Sequence, residues 1–291
     1  MRRVILFLLL TIVTTLSFAQ DSLKWYHSKS KIYYAPPVTT GSIAAAGLVA
    51  NVLGIRMLNA RPSISESTVL GLDRNNVNAF DRHVFDHDVN DRENSHNFTD
   101  WGLYISAVMP FALFIDKDIR KDWFEVSLMY LETQMIAVNL YNYLGPGVFT
   151  RYRPITYMYG EGNPPVEMRE LTDNNNERSF FSGHTSNTAV GTFFTAKVLL
   201  DYHPEWSTLA KVGVYTAAFI PPALVGYYRT RAYKHFYTDV MMGCTVGALT
   251  GIMVPQIHKK LRLKKNKYGG STSFMPIMQP SMLGLYVKTS I

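Results

Sequence analysis

Residues 229–239 read Arg229-Thr-Arg-Ala-Tyr-Lys-His235-Phe-Tyr-Thr-Asp239, a polar island between two apolar runs that gathers a guanidinium, an imidazole and a carboxylate. A helix starting near His235 sets His235 and Asp239 on one face at i,i+4 spacing, where the carboxylate is expected to hold one ring nitrogen and leave the other free to react. Such a histidine is a candidate nucleophile. Upstream, Ser182-Gly183-His184 opens another apolar segment. A hydroxyl, a bare backbone and a second imidazole thus meet at a predicted helix N-terminus, where amide N–H groups favour an anion. Arg153-Pro154 follows a third apolar segment. Two arginines, two histidines, an aspartate and a Ser-Gly turn suit phosphoryl transfer to a histidine.

Working outward from that island, apolar periodicity predicts helices over Thr40–Leu58, Trp101–Ile115, Trp123–Leu144, Ser182–Leu200, Leu209–Gly226 and His235–Pro255. The fold class is therefore all-α, a helical bundle of about six core helices. A short β-like tail follows, in which Leu283, Leu285 and Val287 alternate. The charged link Asp116–Asp122 is short enough to make its two helices antiparallel, and Gly145-Pro-Gly147 ends the second of them. Glu132, Gln134, Asn139 and Asn142 in that helix predict interhelical hydrogen bonds rather than a lipid-facing surface. Gly243, Gly247 and Gly251 predict close approach of a neighbouring helix, and Pro221-Pro222 a kink in the preceding one.

The start, Met1-Arg2-Arg3 followed by apolar Val4–Leu16 and Ser17-Phe18-Ala19, has the three regions of an export signal, with cleavage predicted after Ala19. The organisation read from the chain is thus a leader over 1–19, an N-terminal helix and polar loop over 20–98, a catalytic helical domain over 99–257, and a basic stretch and tail over 258–291. The net charge of +7, less the two charges of Arg2 and Arg3, leaves +5. Much of this sits between Lys259 and Lys267, just after an apolar helix, which reads as a membrane-proximal end and not a nucleic-acid surface. His83, Asp86, His87 and Asp88 match no closed zinc spacing and read as part of a solvated loop, so no metal is assigned. Residues 148–181 carry Arg151 and Arg153 towards the island, and the Gly-, Pro- and Asn-rich part from 160 to 178 reads as a mobile cover. The single cysteine, Cys244, reads as a small core residue.

The three blocks, in this order, resemble the type-2 phosphatidic acid phosphatase family, which shares its site with the non-specific acid phosphatases and the vanadium haloperoxidases. That family's pattern is Lys-x6-Arg-Pro, then Pro-Ser-Gly-His, then Ser-Arg-x5-His-x3-Asp. Here Tyr228 replaces the Ser of the third block, Phe181 the Pro of the second, and Pro146 the Lys of the first. No lysine lies between Lys121 and Lys197, so Arg151 is expected to supply the missing charge. The resemblance covers roughly residues 100 to 257 and implies a role for each matched residue. His235 attacks phosphorus, Asp239 orients its ring, and His184 protonates the leaving oxygen. Arg153, Arg229, Ser182, the backbone of Gly183 and Arg151 hold the phosphate oxygens. No metal or organic cofactor is implied.

The substrate implied is a lipid phosphate such as phosphatidate, an isoprenoid diphosphate or a lipid A phosphate group, hydrolysed by a membrane-associated enzyme whose site faces the periplasm. The alternatives are a periplasmic acid phosphatase for soluble phosphoesters, a vanadate-dependent peroxidase, and a non-catalytic envelope scaffold. Mean hydropathy of -0.02 leaves the soluble branch open. With a cleaved leader, six full crossings place the catalytic loops on the cytoplasmic side, against the distribution of basic residues.

Overall fold

The computed structural model describes residues 32–268 and a C-terminal pair of strands. The leader predicted over 1–19 and the lead-in as far as residue 31 lie outside the described residues. Six long helices make the body among the described residues: α1 (Pro37–Asn59), α2 (Arg92–Val108, continued by 3-10 turns over Met109–Ile115), α3 (Trp123–Leu144), α4 (Gly183–Tyr202), α5 (Thr208–Arg231) and α6 (Tyr237–Tyr268). Strands β1 (Thr272–Gln279) and β2 (Met282–Thr289) form an antiparallel hairpin with Thr272 opposite Thr289 and Gln279 opposite Met282. The all-α bundle with a β tail is the fold observed. The divisions drawn at 98/99 and 257/258 fall inside α2 and α6.

Helix α4 is the central element. It packs against α2, α3, α5 and α6, and buries Val190, Phe194 and Val198 completely. Its closeness to α6 depends on the glycine stripe: a Cβ on Gly243 would stand 2.4 Å from the Ser182 carbonyl oxygen, and one on Gly247 2.1 Å from that of Ser186. Only hydrogen fits there, so backbone meets backbone and the N-terminus of α4 is held rigidly against the start of α6. The polar residues of α3 bond to neighbouring helices. Glu132 meets His258 Nε2 of α6 at 2.8 Å, while the Asn139 amide donates to Gly47 O and that of Asn142 to Asn51 Oδ1 of α1.

Several boundaries differ from the sequence reading, beginning with α2, which starts at Arg92 within the segment read as a polar loop and not at Trp101. Helix α5 contains Pro221 and Pro222 and continues past Gly226 to Arg231. Helix α6 starts at Tyr237, not His235, and runs past Pro255 to Tyr268. The reason lies between them. Tyr233 adopts a φ of 55°, a left-handed conformation that no helix continues through, so His235 sits in a connection and not on a helix.

The segment between α1 and α2 is also more ordered than a solvated loop. It forms short helices at Glu66–Leu70 and Ala79–Arg82 with 3-10 turns around them. Ile64, Val69 and Val89 pack with Ile155, Leu171 and Tyr233, and Val77 and Val84 with Phe236. His83 pairs with Asp86 at 3.0 Å, and His87 Nε2 lies 3.0 Å from the Tyr237 hydroxyl. The cover over 148–181 is tied down as well, since Arg178 donates to Leu58 O at 2.6 Å and to Asn59 Oδ1.

Among the described residues, four segments are long and apolar enough to cross a membrane: Pro37–Asn59, Val89–Ile115, Thr208–Arg231 and Tyr237–Lys265. Large apolar side chains on them face outward, among them Leu48, Ile105, Phe219 and Leu249. The helices alternate in direction. One end of the bundle holds the link Lys117–Lys121, the C-terminus of α4 and the basic part of α6, joined through His203–Asp116 and Lys259–Asp201 contacts. The other end holds the polar island.

Candidate active site

At that other end, Arg153, Gly183, His184, Arg229 and His235 line one cavity of about 360 Å³. His96, Tyr141 and Lys234 join them in its wall. The structure thus brings together five of the predicted residues and leaves Ser182, Arg151 and Asp239 behind the wall.

His235 is 1% exposed, and its Nδ1 lies 2.6 Å from the Ser179 carbonyl oxygen. A carbonyl only accepts, so Nδ1 carries the hydrogen and Nε2 keeps its lone pair. Burial, and then the charges of Arg229 and Arg153, hold its pKa well below the usual imidazole range. The ring is a neutral base with a fixed tautomer. Asp239 is not what fixes it. Its carboxylate accepts from Ser179 Oγ at 2.6 Å, Phe236 N at 2.9 Å and Arg151 Nη1 at 2.5 Å. The i,i+4 pairing fails because the helix starts two residues after His235, and Asp239 reaches the ring through Ser179.

Arg151 does not supply the missing first-block charge to the cavity. Its guanidinium bridges Asp239 and Asp81, the latter at 2.7 Å, and stacks 4.3 Å from the Phe236 ring centre. The cation in the cavity is Lys234, which sequence reasoning missed. Burial, and then Arg153 and Arg229, bring its pKa down to about 8. The available signal was its place directly before the nucleophile candidate.

Arg153 is 6% exposed and its side chain has no hydrogen-bond or ion-pair partner among the described residues, with Nε buried and unbonded. Burial works against its charge. Arg229, equally buried, donates Nη1 to His96 Nδ1 at 3.0 Å and to Thr99 Oγ1 at 3.3 Å, and leaves Nε unbonded. Neither has a carboxylate.

Gly183 opens α4 against the Tyr141 ring, which a Cβ would meet at 3.1 Å. Its amide is one of the unpaired N–H groups of the helix start. Ser182 caps that start. Its hydroxyl contacts Thr185 Oγ1 at 2.9 Å, its amide donates to Asp239 O at 3.0 Å, and it is absent from the cavity wall. His184 Nε2 donates to Asp100 Oδ1 at 2.9 Å, which leaves Nδ1 as the free ring nitrogen. Burial and Arg229 push its pKa down despite Asp100. Asp100 and His96 come from α2, where no motif marked them.

Residues 125–263 match the family model described as the PAP2 superfamily. That segment contains every predicted site residue and Lys234, and excludes Asp81, His96 and Asp100. No curated protein and no solved structure matches the chain.

Proposed function

We propose, on the premise that the chain belongs to the PAP2 superfamily through residues 125–263, that it hydrolyses the terminal phosphate of a phosphorylated lipid by way of a phosphohistidine. The observation that carries this reading is the Arg153 guanidinium, buried without a partner beside Arg229 and Lys234 in the cavity that holds His235. A buried cation without a counter-charge costs several kcal/mol. Two such guanidiniums and the half-buried Lys234 around one neutral imidazole fit a site whose missing charge arrives with a dianionic phosphate.

In this scheme His235 Nε2 attacks phosphorus as the bond to the leaving oxygen breaks. Arg153, Arg229, Lys234 and the Gly183 amide hold the three remaining oxygens, where charge is greatest in the transition state. His184 is neutral in the anion-free cavity, and the bound dianion reverses the field at its ring. It takes up a proton, which it gives to the leaving alkoxide. It then removes a proton from water, which attacks phosphorus and releases His235 and inorganic phosphate. Asp100 holds His184 in the required tautomer.

The four membrane-length apolar segments support a lipid substrate over a soluble one. The positive-inside rule sets the basic end towards the cytoplasm and the site towards the periplasm. Because α1 also starts at the basic end, that orientation with six crossings is incompatible with removal of a leader after export. N-terminal sequencing of the mature protein decides between them.

The test is phosphate release in chelator-treated buffer from phosphatidate, an isoprenoid diphosphate and p-nitrophenyl phosphate. His235→Ala is expected to lower release by at least about 10³-fold. Release that survives in that variant, or a well-folded protein that releases none, overturns the reading.

A further inference from the structure

Behind His235, on the side away from the cavity, two carboxylates are fully buried. Asp81, in the short turn Ala79–Arg82, is 0% exposed and accepts four hydrogen bonds: Thr238 N at 2.9 Å, Thr238 Oγ1 at 2.7 Å, Asn78 Nδ2 at 2.7 Å and Arg151 Nη2 at 2.7 Å. Asp239, also 0% exposed, is the second. Arg151 bridges them and is held flat against Phe236, the residue after the nucleophile.

The chain of contacts then closes. Ser179 donates its amide to Arg151 O at 3.0 Å and its hydroxyl to Asp239, and accepts from His235 Nδ1 through its carbonyl. Arg151 therefore grips Ser179 through its own main chain and through Asp239 at once. We propose that Asp81 and Arg151 act as a positioning pair for His235, transmitted through Asp239 and Ser179, and that the segment before α2 thereby completes the site. What the positioned ring does rests on the phosphatase reading above.

The charges agree with this role. Burial raises the Asp239 pKa to about 6 against the pull of Arg151 and Ser179, so above that pH two carboxylates and one guanidinium leave one negative charge behind the imidazole, opposite the cavity cations. Such a charge favours the ring as it becomes positive on phosphorylation. Burial alone would raise the Asp81 pKa, but hydrogen bonds from Thr238, Arg151 and Asn78 outweigh it and hold the group ionised. Arg151, saturated by Asp81, Asp239 and Thr238 Oγ1, has little left to offer a phosphate.

The experiment uses the full chain in detergent with Asp81→Asn, Arg151→Gln and the double variant. For Asp81→Asn, kcat is expected to fall about 10- to 100-fold, the scale of a slightly misplaced reacting group. KM, and the inhibition constant of inorganic phosphate, stay within about twofold because the cavity cations are untouched. The double variant is expected to be no worse than Arg151→Gln alone, since both act through one path. Imidazole ¹⁵N NMR should show the Nδ1–H tautomer of His235 in the parent and a mixture in Asp81→Asn.

A raised KM with unchanged kcat makes Arg151 a phosphate ligand and overturns the proposal. So does a loss confined to thermal stability, or additive losses in the double variant. Should Asp81→Asn not fold, Asn78→Asp keeps the cap that accepts from the Asp81 amide and removes only the donor to its carboxylate, and is expected to give the same pattern at smaller size. If the parent releases no phosphate, the phosphatase reading falls, while the tautomer of His235 still tests the pair.

Discussion

Helix α4 has buried cations around both of its ends, and the two ends treat them in opposite ways. At the C-terminal end, Lys197 Nζ lies 2.7 and 2.6 Å from the two Asp201 oxygens, Lys259 reaches the same carboxylate at 2.7 Å, and the Tyr33 hydroxyl donates to it. At the N-terminal end, Arg153, Arg229 and Lys234 surround Gly183 and His184 with no carboxylate bonded to any of them. Both ends mix buried and half-buried cations, Lys197 with Lys259 at one and Arg153 and Arg229 with Lys234 at the other, and the chemistry of the side chains is similar. A paired cluster holds helices together, whereas an unpaired one is held in readiness for a ligand that brings the opposite charge. The pair Arg151 and Arg153 repeats the contrast two residues apart: one is bridged by two carboxylates, the other has no partner.

Three variants sharpen or break this comparison. Asp201→Asn strands Lys197 and Lys259 against a neutral amide, with an expected loss of about 3–5 kcal/mol. Thermal unfolding should drop by roughly 10 °C, with phosphate release per folded molecule unchanged. Arg153→Met is expected to do the reverse, lowering kcat/KM by about 10²- to 10³-fold while the melting temperature holds or rises. A melting temperature that falls as far as in Asp201→Asn would make Arg153 a structural cation and end the contrast.

The smallest expected effect is that of Lys234→Gln, a rise in KM of about tenfold, or 1.4 kcal/mol. Its pH dependence identifies the residue. With the Lys234 pKa lowered to about 8, the parent binds phosphate fully below that pH and loses affinity as pH rises through it. The variant should bind at one level across the range. The stability effect has the opposite sense. Between about 8 and the ordinary lysine value of 10.5 the unfolded chain binds the extra proton, so folding stability gains with rising pH in that window.

Much of the bundle was legible because amphipathic period and helix stops are local. Trp123–Leu144 was read to the residue, since Asp122 precedes it and Gly145-Pro-Gly147 cannot extend it. The glycine stripe of α6 announced close approach of a neighbouring helix, and the fold makes that helix α4. The end of α5 was misread because its last turns are polar where they face a cavity, the start of α6 because the left-handed turn at Tyr233 has no local signature, and the end of α6 because the helix continues through Pro255. His184, Arg153, Arg229 and His235 stood out as chemistry-bearing groups at the ends of apolar runs. Lys234 and Asp100 did not, being ordinary charged residues until the fold sets one in the cavity wall and the other on a ring nitrogen.

By itself the sequence determined the helical class, the order of the blocks and the candidacy of Arg153, His184, Arg229 and His235, because these depend on residue type and short-range spacing. Only the tertiary structure decided which cations are paired and which are left open. Asp81 and Arg151 are 70 residues apart, and Asp81 and Thr238 157 apart. A charge's role is set by what folding brings within about 4 Å of it, where the Coulomb term outweighs screening. That partner is a property of the packed helices and of the left-handed turn at Tyr233, and not of any local stretch.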